Sequence, residues 1–233
     1  MRMKIPWMIL AAGAVISSVY ANPITTLFNT GVASNDTNGA PATLTADGAA
    51  DAHYTLTVAP AGAVTTGPYV TTQGTFPLNG PWLADSSASK WISPQASYPS
   101  TSVVDPEGNY TYTTSFDLTG FDLATVIIDG KIAVDNSISS IRLNGNSISF
   151  SPASTSFTNF GTFAVSAGSQ SLLTTGMNTF EFNVINAAGT AGNPGGLRVE
   201  LSGVANTIPE PAAMSMMVMV CAAALWIRRR FID

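Results

Sequence analysis

Apolar and polar residues alternate along several short segments of the chain, which is the pattern of a β-strand with one buried face. The clearest segments are NYTYTTSFDL at 109–118, NTFEFNVIN at 178–186 and GLRVELSG at 196–203. Because successive side chains of a strand point to opposite faces, each segment predicts a strand that lies on a hydrophobic core. Shorter segments of the same kind are HYTLTV at 53–58, PYVTT at 68–72, KWIS at 90–93 and TNFGTFAV at 158–165.

Two turn-forming dipeptides divide further apolar runs. Asp129-Gly130 separates ATVII from KIAVD, and Asn144-Gly145 separates ISSIRL from NSISF. Both dipeptides tolerate the positive φ angles of a two-residue hairpin turn, so each predicts a hairpin. The apolar pairs that would then face each other are Ile127 with Ile132 and Ile141 with Ile148.

Eight or more short strands in one stretch of this length predict a single all-β domain, with the architecture of a β-sandwich or jelly roll. We place this domain at residues 22–207, between two ends of different composition. The stretch 30–51 is rich in Ala, Gly, Asn and Thr and predicts a loop or a loosely held entry strand.

Residues 1–21 have the composition of a secretory signal peptide. Arg2 and Lys4 precede an apolar stretch, and short residues at Val19 and Ala21 suit a cut between Ala21 and Asn22. An uncleaved membrane anchor is the alternative, but the apolar stretch is short for a span. The sequence thus predicts export by the general secretion machinery and cleavage by signal peptidase.

The other end of the chain combines an apolar run with a basic cluster. Residues 212–227 carry no charge, Trp226 lies near their end, and Arg228, Arg229 and Arg230 follow the run at once. This pattern predicts a transmembrane helix whose basic end stays in the cytoplasm. At about 1.5 Å per residue the run covers roughly 24 Å, which is short for a bilayer core.

Composition excludes some classes of function for the exported domain. Residues 22–207 hold four basic residues against twelve acidic ones, a net charge of −8, which argues against nucleic-acid binding. The single cysteine of the chain, Cys221, lies in the C-terminal run. The domain therefore has no disulfide and depends on packing and hydrogen bonds for its stability.

The order of features at the C-terminus resembles the PEP-CTERM sorting signal of Gram-negative, exopolysaccharide-producing bacteria. The signal would occupy 208–233, with Ile208 before the triad Pro209, Glu210 and Pro211, then the apolar run and the three arginines. The resemblance implies recognition by an exosortase-type processing protease and release or transfer of the domain into the envelope, the cell surface or the extracellular matrix. The two prolines support an extended segment that an enzyme can grip.

The domain also looks like the β-sandwich ectodomains that precede such tails, from about His53 to Leu201. The matching stretches are HYTLTV, PWLADSSASKWISPQ, AVDNSISSIRLNG and NPGGLRVELSG. These ectodomains are similar to galactose-binding-like jelly rolls, an architecture shared by many carbohydrate-binding modules. Because a fold does not determine its ligand, this resemblance does not identify one.

Four residues are candidates for a carbohydrate site. Trp82 and Trp91 could stack on a sugar, with Asp85 or Lys90 bonding its hydroxyls. Both rings could instead close the bottom of the sandwich core, which is the more common role of large aromatic residues.

Asp135 and Asn136 are the other two candidates and follow an apolar run. They could bind a sugar hydroxyl or join carbonyl groups around a structural calcium ion, or they could be ordinary turn residues. Calcium is the one ion considered, and the sequence predicts no other metal site or cofactor.

Signals for catalysis are weak in this sequence. His53 is the only histidine and no G-x-S-x-G motif accompanies it, so a Ser-His-Asp triad is disfavoured. Glu107, Glu181 and Glu200 could supply paired carboxylates for glycan hydrolysis, but the last two occupy polar positions of predicted strands.

Three functional hypotheses follow. The leading one is a non-enzymatic, exported surface or matrix protein with a structural or adhesive role in exopolysaccharide. The second is a carbohydrate-binding module with a defined sugar site, and the third is a glycan-active hydrolase.

Overall fold

The structure of the protein is a computed structural model that describes residues 21–34, 43–98, 103–152, 156–189, 192–208 and 211–231. The predicted signal peptide lies outside these residues except for its last residue, Ala21. Pro209 and Glu210 of the predicted triad lie outside them as well.

The described residues form fourteen strands, two single-turn 3-10 helices at Leu123–Thr125 and Gln170–Leu172, and one α-helix, α1 (Pro211–Phe231). The strands are β1 (Ala21–Pro23), β2 (Val32–Ser34), β3 (Thr43–Leu44), β4 (Tyr54–Val58), β5 (Tyr69–Val70), β6 (Ile92–Ser93), β7 (Gly108–Asp117), β8 (Ile127–Asp135), β9 (Ser137–Leu143), β10 (Asn146–Ile148), β11 (Phe150–Ser151), β12 (Gly161–Val165), β13 (Met177–Asn186) and β14 (Gly196–Asn206). The predicted all-β class is confirmed.

Two antiparallel sheets face each other across the core. The larger sheet has the order β11-β12-β8-β14-β6-β5, with β1 also paired to β14. The smaller sheet has the order β10-β9-β13-β7-β4, and β2 pairs separately with β3. Alternating burial along β7, β12 and β13 shows why the sequence pattern predicted these strands: every second side chain enters the space between the sheets.

Aromatic rings from both sheets meet in the middle of the core. Phe163 of the larger sheet stands edge-on to Phe180 and Phe182 of the smaller sheet, at centroid distances of 5.7 and 5.8 Å. The interplanar angles of 70° and 62° suit the attraction between a ring edge and a ring face. These contacts join the two sheets at the centre of the sandwich.

One of the two predicted hairpins is confirmed and the other is wrong. Asn144 and Gly145 form a tight turn with φ of 50° and 78°, and Ile141 pairs with Ile148 as predicted. Gly130 instead lies inside the continuous strand β8, so the predicted pairing of Ile127 with Ile132 does not occur. Gly130 is opposite Phe163 on β12, and a side chain on Gly130 would collide with the Phe163 ring. The glycine therefore makes room for a core aromatic ring rather than a turn.

The first and last strands of the sandwich are neighbours. Ala21 pairs with Asn206 and Asn22 pairs with Ala205. After β14, the backbone N–H of Ile208 still donates a 2.8 Å hydrogen bond to the carbonyl oxygen of Gly120. The residue that precedes the predicted triad is therefore hydrogen-bonded to the body of the domain.

The C-terminal run forms the helix α1, with the three arginines in its last turn. Within the described part of the chain, no helix is both long and apolar enough to cross a membrane. The prediction of a transmembrane helix at 212–227 is therefore wrong in part: these residues are helical, within α1, but α1 does not meet the requirements of a membrane span.

The position of Gly130 under Phe163 gives a stability prediction. Gly130→Ala should lower the free energy of unfolding by about 1–3 kcal/mol, because the added methyl group overpacks the core. Gly168→Ala is the matched control, since no atom lies within 4 Å of the position its methyl group would occupy. Denaturant unfolding of the two variants measures the difference, and equal stabilities would contradict this role for Gly130.

Candidate functional site

Trp82 and Trp91 lie on the outer face of the larger sheet, in a small cluster separate from the main core. Their ring centroids are 4.2 Å apart, and Ala133 of β8 completes the buried part of the cluster. Ile132 and Val134, the neighbours of Ala133, belong to the main core, so Ala133 faces the other way. The cluster is covered by the segment 71–91, which joins β5 to β6. One interpretation of the sequence placed both rings at the bottom of the sandwich core. In the structure they lie outside that core.

Both indole rings are buried and both ring nitrogens are in use. Trp91 is fully buried and Trp82 is 4% exposed. The Nε1–H group of Trp82 donates to Asp135 Oδ2 at 2.8 Å, and that of Trp91 donates to the carbonyl oxygen of Leu83 at 2.7 Å. The structure thus brings Trp82, Trp91 and Asp135 together, but no ring face is free. Sugar stacking by this pair stays a prediction, and the burial of the rings argues against it.

Asp85 and Lys90 are also occupied by contacts within the protein. Asp85 accepts a hydrogen bond from the backbone N–H of Trp91 and one from the side chain of Gln73. Lys90 Nζ forms a 2.7 Å ion pair with Asp47. These partners fix the segment 71–91 rather than leaving polar groups directed to solvent.

Arg198 holds the same segment on the sheet and was missed by sequence reasoning, which placed it on a polar face. The side chain is 2% exposed, and its Nε and Nη2 atoms donate to the hydroxyl oxygens of Ser89 and Ser86. Its guanidinium group also bonds the carbonyl oxygen of Ala84 and lies 5.1 Å from the centre of the Phe160 ring. Because the segment covers this part of the sheet, a strand position that alternation assigns to solvent becomes buried.

Two carboxyl groups are buried at one end of the sandwich. Asp105 is fully buried and accepts three hydrogen bonds, from Tyr98 Oη at 2.5 Å and from Gly195 N and Gln95 Nε2 at 2.8 Å each. Three donors stabilise a carboxylate well, although burial still raises the pKa of Asp105.

Asp135 is less well compensated than Asp105. It is 6% exposed and accepts one hydrogen bond, from Trp82, while its Oδ1 atom has no partner within the described structure. Burial raises the pKa of Asp135 to about 6, against the lowering effect of the Trp82 bond, and the negative charge of Asp105 adds to the rise. Asp135 therefore changes its charge near pH 6, about two pH units above an ordinary aspartate.

Asn136 joins the end of β8 to the end of β13 through two hydrogen bonds. Its Oδ1 atom accepts the backbone N–H of Ala187 at 2.7 Å, and its own N–H donates to the carbonyl oxygen of Ile185 at 3.0 Å. Among the described residues no group of three or more His, Cys, Asp and Glu side chains could hold a metal ion. Calcium binding near Asp135 stays a prediction.

The candidate catalytic residues His53, Glu181 and Glu200 do not lie together in one site. The His53 ring stacks on Phe28 with centroids 3.5 Å apart. Glu181 lies on the smaller sheet opposite Arg142, and Glu200 lies on the larger sheet opposite Lys131. Since both glutamates alternate with core residues, they point outward from opposite sheets and do not form a pair.

Part of the predicted sorting signal lies among the residues that the structure describes. Pro211 is the first residue of α1, where its fixed φ suits a helix start. Arg230 lies over the Trp226 ring at 5.1 Å, one turn apart on the helix. Ala21 and Asn22, at the predicted signal-peptide cut, lie in the exposed strand β1.

Comparison with known proteins adds little to this geometry. No family model and no curated protein matches the chain. A solved structure that matches is the Family 11 carbohydrate-binding module from Clostridium thermocellum in complex with a β-1,3-1,4-mixed-linked tetrasaccharide, at 12% sequence identity and a TM-score of 0.28. The match covers 68% of this chain and 98% of that chain. A TM-score this low carries no argument about the ligand of this protein.

The buried Asp135 gives a pH prediction. The folded state holds the proton of this carboxyl more tightly than the unfolded chain does. Its stabilising contribution is therefore complete below the unfolded pKa of 3.8 and is lost as the pH rises through about 6. We expect Asp135→Asn to raise the free energy of unfolding at pH 8 by up to about 3 kcal/mol, and to change it little at pH 4.

The measurement is denaturant unfolding of both proteins from pH 4 to pH 8. Asp129→Asn, which changes an exposed carboxyl on the same strand, is the matched control and should not show this pH-dependent gain. An Asp135→Asn variant whose stability ran parallel to that of the original protein at every pH would contradict the assignment.

Proposed function

We propose that this chain is a non-enzymatic, exported protein of the cell surface or extracellular matrix, sorted by a C-terminal PEP-CTERM signal. Its β-sandwich has a structural or adhesive role in association with exopolysaccharide. Signal peptidase and an exosortase-type protease are the processing partners in this proposal.

The observation that carries the proposal is the position of the two processing sites relative to the folded domain. Asn22, the first residue after the predicted signal-peptide cut, pairs with Ala205 on β14. Among the described residues of the domain, Ile208, directly before the triad, makes the tertiary backbone hydrogen bond nearest to the C-terminal tail. Cuts at both sites would therefore release a sandwich that keeps all of its strands.

The positions of the cysteine and of the basic cluster are in accord with removal of the tail. Cys221 and the basic cluster at 228–230 both lie in α1, beyond the triad. A domain cut at the triad would carry no thiol group and no such cluster. Its stability would come from the aromatic core and the polar contacts of the segment 71–91, which suits an oxidising environment outside the cell.

The test is the intact mass of the protein recovered from envelope and extracellular fractions of its native host. We expect a C-terminus near the triad, without the apolar run and without Arg228. In the variant Glu210→Gln the triad loses its charge, and the full tail should remain attached.

Glu107→Gln is the matched control, because it removes the charge of an exposed glutamate in the domain. It should be processed like the original protein. A mature protein that still carried the three arginines would overturn the sorting proposal, and normal processing of Glu210→Gln would show that the triad is not what the protease recognises.

A further inference from the structure

A groove lies at the edge of the larger sheet, away from the two tryptophans. It encloses about 490 Å³ and is formed by β8, β12 and β11, together with Ser149 before β11. This volume is within the range of about 300–1,000 Å³ that is usual for small-molecule sites. The groove is open on its solvent side, so it could admit the middle of a polymer as well as its end.

Polar side chains of neighbouring strands line this groove in register. Asp129 and Lys131 alternate with buried residues along β8 and therefore point outward. Thr162 on β12 lies opposite Lys131, and Ser151 on β11 lies opposite Thr162. A carboxylate, an ammonium group and hydroxyl groups thus stand side by side, a set that can both accept and donate hydrogen bonds.

Phe150 on β11 borders the groove, but its ring lies on the other face of the sheet. It is half-buried, pairs with Phe163 and packs against the main core. The side chains that β8, β11 and β12 present to the groove are therefore mostly polar, which suits a ligand rich in hydroxyl groups.

The charge of the groove and of the domain restricts the ligand. Lys131 Nζ lies 3.4 Å from Glu200 Oε2 and its side chain is 60% exposed. The ammonium group is therefore already balanced by a carboxylate, and Asp129 adds a second negative group. In a domain with a net charge of −8, this surface repels a polyanion.

We propose that the groove formed by β8, β11 and β12 binds a neutral polysaccharide chain through Asp129, Lys131 and Thr162. The inference rests on the proposed association with exopolysaccharide and adds a site and a ligand class to it. It locates the sugar contact on the edge of the larger sheet, on the side opposite the core.

Two substitutions test the groove without removing a core side chain. Lys131→Ala removes a hydrogen-bond donor, and Ala164→Trp fills the groove from an exposed position on β12. Arg142→Ala is the matched control, because Arg142 is also a basic, outward residue opposite a glutamate, Glu181, but on the smaller sheet. Thermal unfolding confirms that each variant is folded.

Binding is measured on the protein recovered from its host, by affinity gel electrophoresis. The probes are the neutral and acidic fractions of the host polysaccharide, together with dextran and alginate. We expect the neutral host fraction to retain the protein, and we expect both groove variants to lose affinity by about tenfold or more. For Lys131→Ala the reason is that a lost hydrogen bond to a charged group commonly costs that much. For Ala164→Trp the reason is that the new side chain fills the groove. Arg142→Ala should bind like the original protein.

Retention by acidic polymers alone, or equal loss in Arg142→Ala and the groove variants, would overturn the groove assignment. So would the absence of binding to every probe. The mass of the same samples separates the two proposals. A correctly cut protein that does not bind refutes the groove and leaves sorting intact, whereas groove-dependent binding by an uncut protein refutes sorting and leaves the groove.

Discussion

The edge-on contact of Phe163 with Phe180 and Phe182 joins the two sheets at the centre of the core, and much of the fold depends on it. The contact requires a gap in β8, which Gly130 supplies by having no side chain. Because Phe163 lies opposite Gly130, Thr162 lies opposite Lys131 on the other side of the same two strands. The groove at the sheet edge is thus a consequence of how the core is packed. A change inside the sandwich at this point would also move the outer surface.

The larger sheet carries a second, smaller cluster on its outer face. Trp82 and Trp91 bury their rings against Ala133, and Arg198 ties the covering segment to β14 through two serine hydroxyl groups. Aromatic rings, a cation and a carboxyl group would look like a ligand site in a sequence. In the structure each of them is used to hold 71–91 in place, with Asp135 left as the under-compensated group. Burial of Asp135 beside this cluster raises the pKa of its carboxyl group, and the negative charge of Asp105 adds to the rise.

Much of the fold could be predicted from the sequence, because alternation is a local signal. The strands β7, β13 and β14 follow directly from it, and the turn at Asn144 follows from another local signal, the Asn-Gly dipeptide. The hairpin predicted at Asp129-Gly130 was wrong because a glycine suits a tight turn and a closely packed strand equally well. The close contact with Phe163, more than thirty positions away, requires glycine in the strand here. Arg198 and Asp105 were missed for a related reason. Each has at least one partner about 90 to 110 residues distant, Gly195 for Asp105 and Ser89 for Arg198, and no local pattern contains such a partner.

The pairing of β1 with the end of β14 has a mechanical consequence. A domain attached through its C-terminus receives any pulling force directly on β14, which lies inside the larger sheet. That strand is bonded to β8 over nine residue pairs on one side and to β1 and β6 on the other. A pull along the strand would load these hydrogen bonds together, in shear, instead of opening them one after another from an edge. The strand nearest the C-terminus is therefore held by neighbours on both of its sides, and its resistance to a pull would come from many hydrogen bonds acting together.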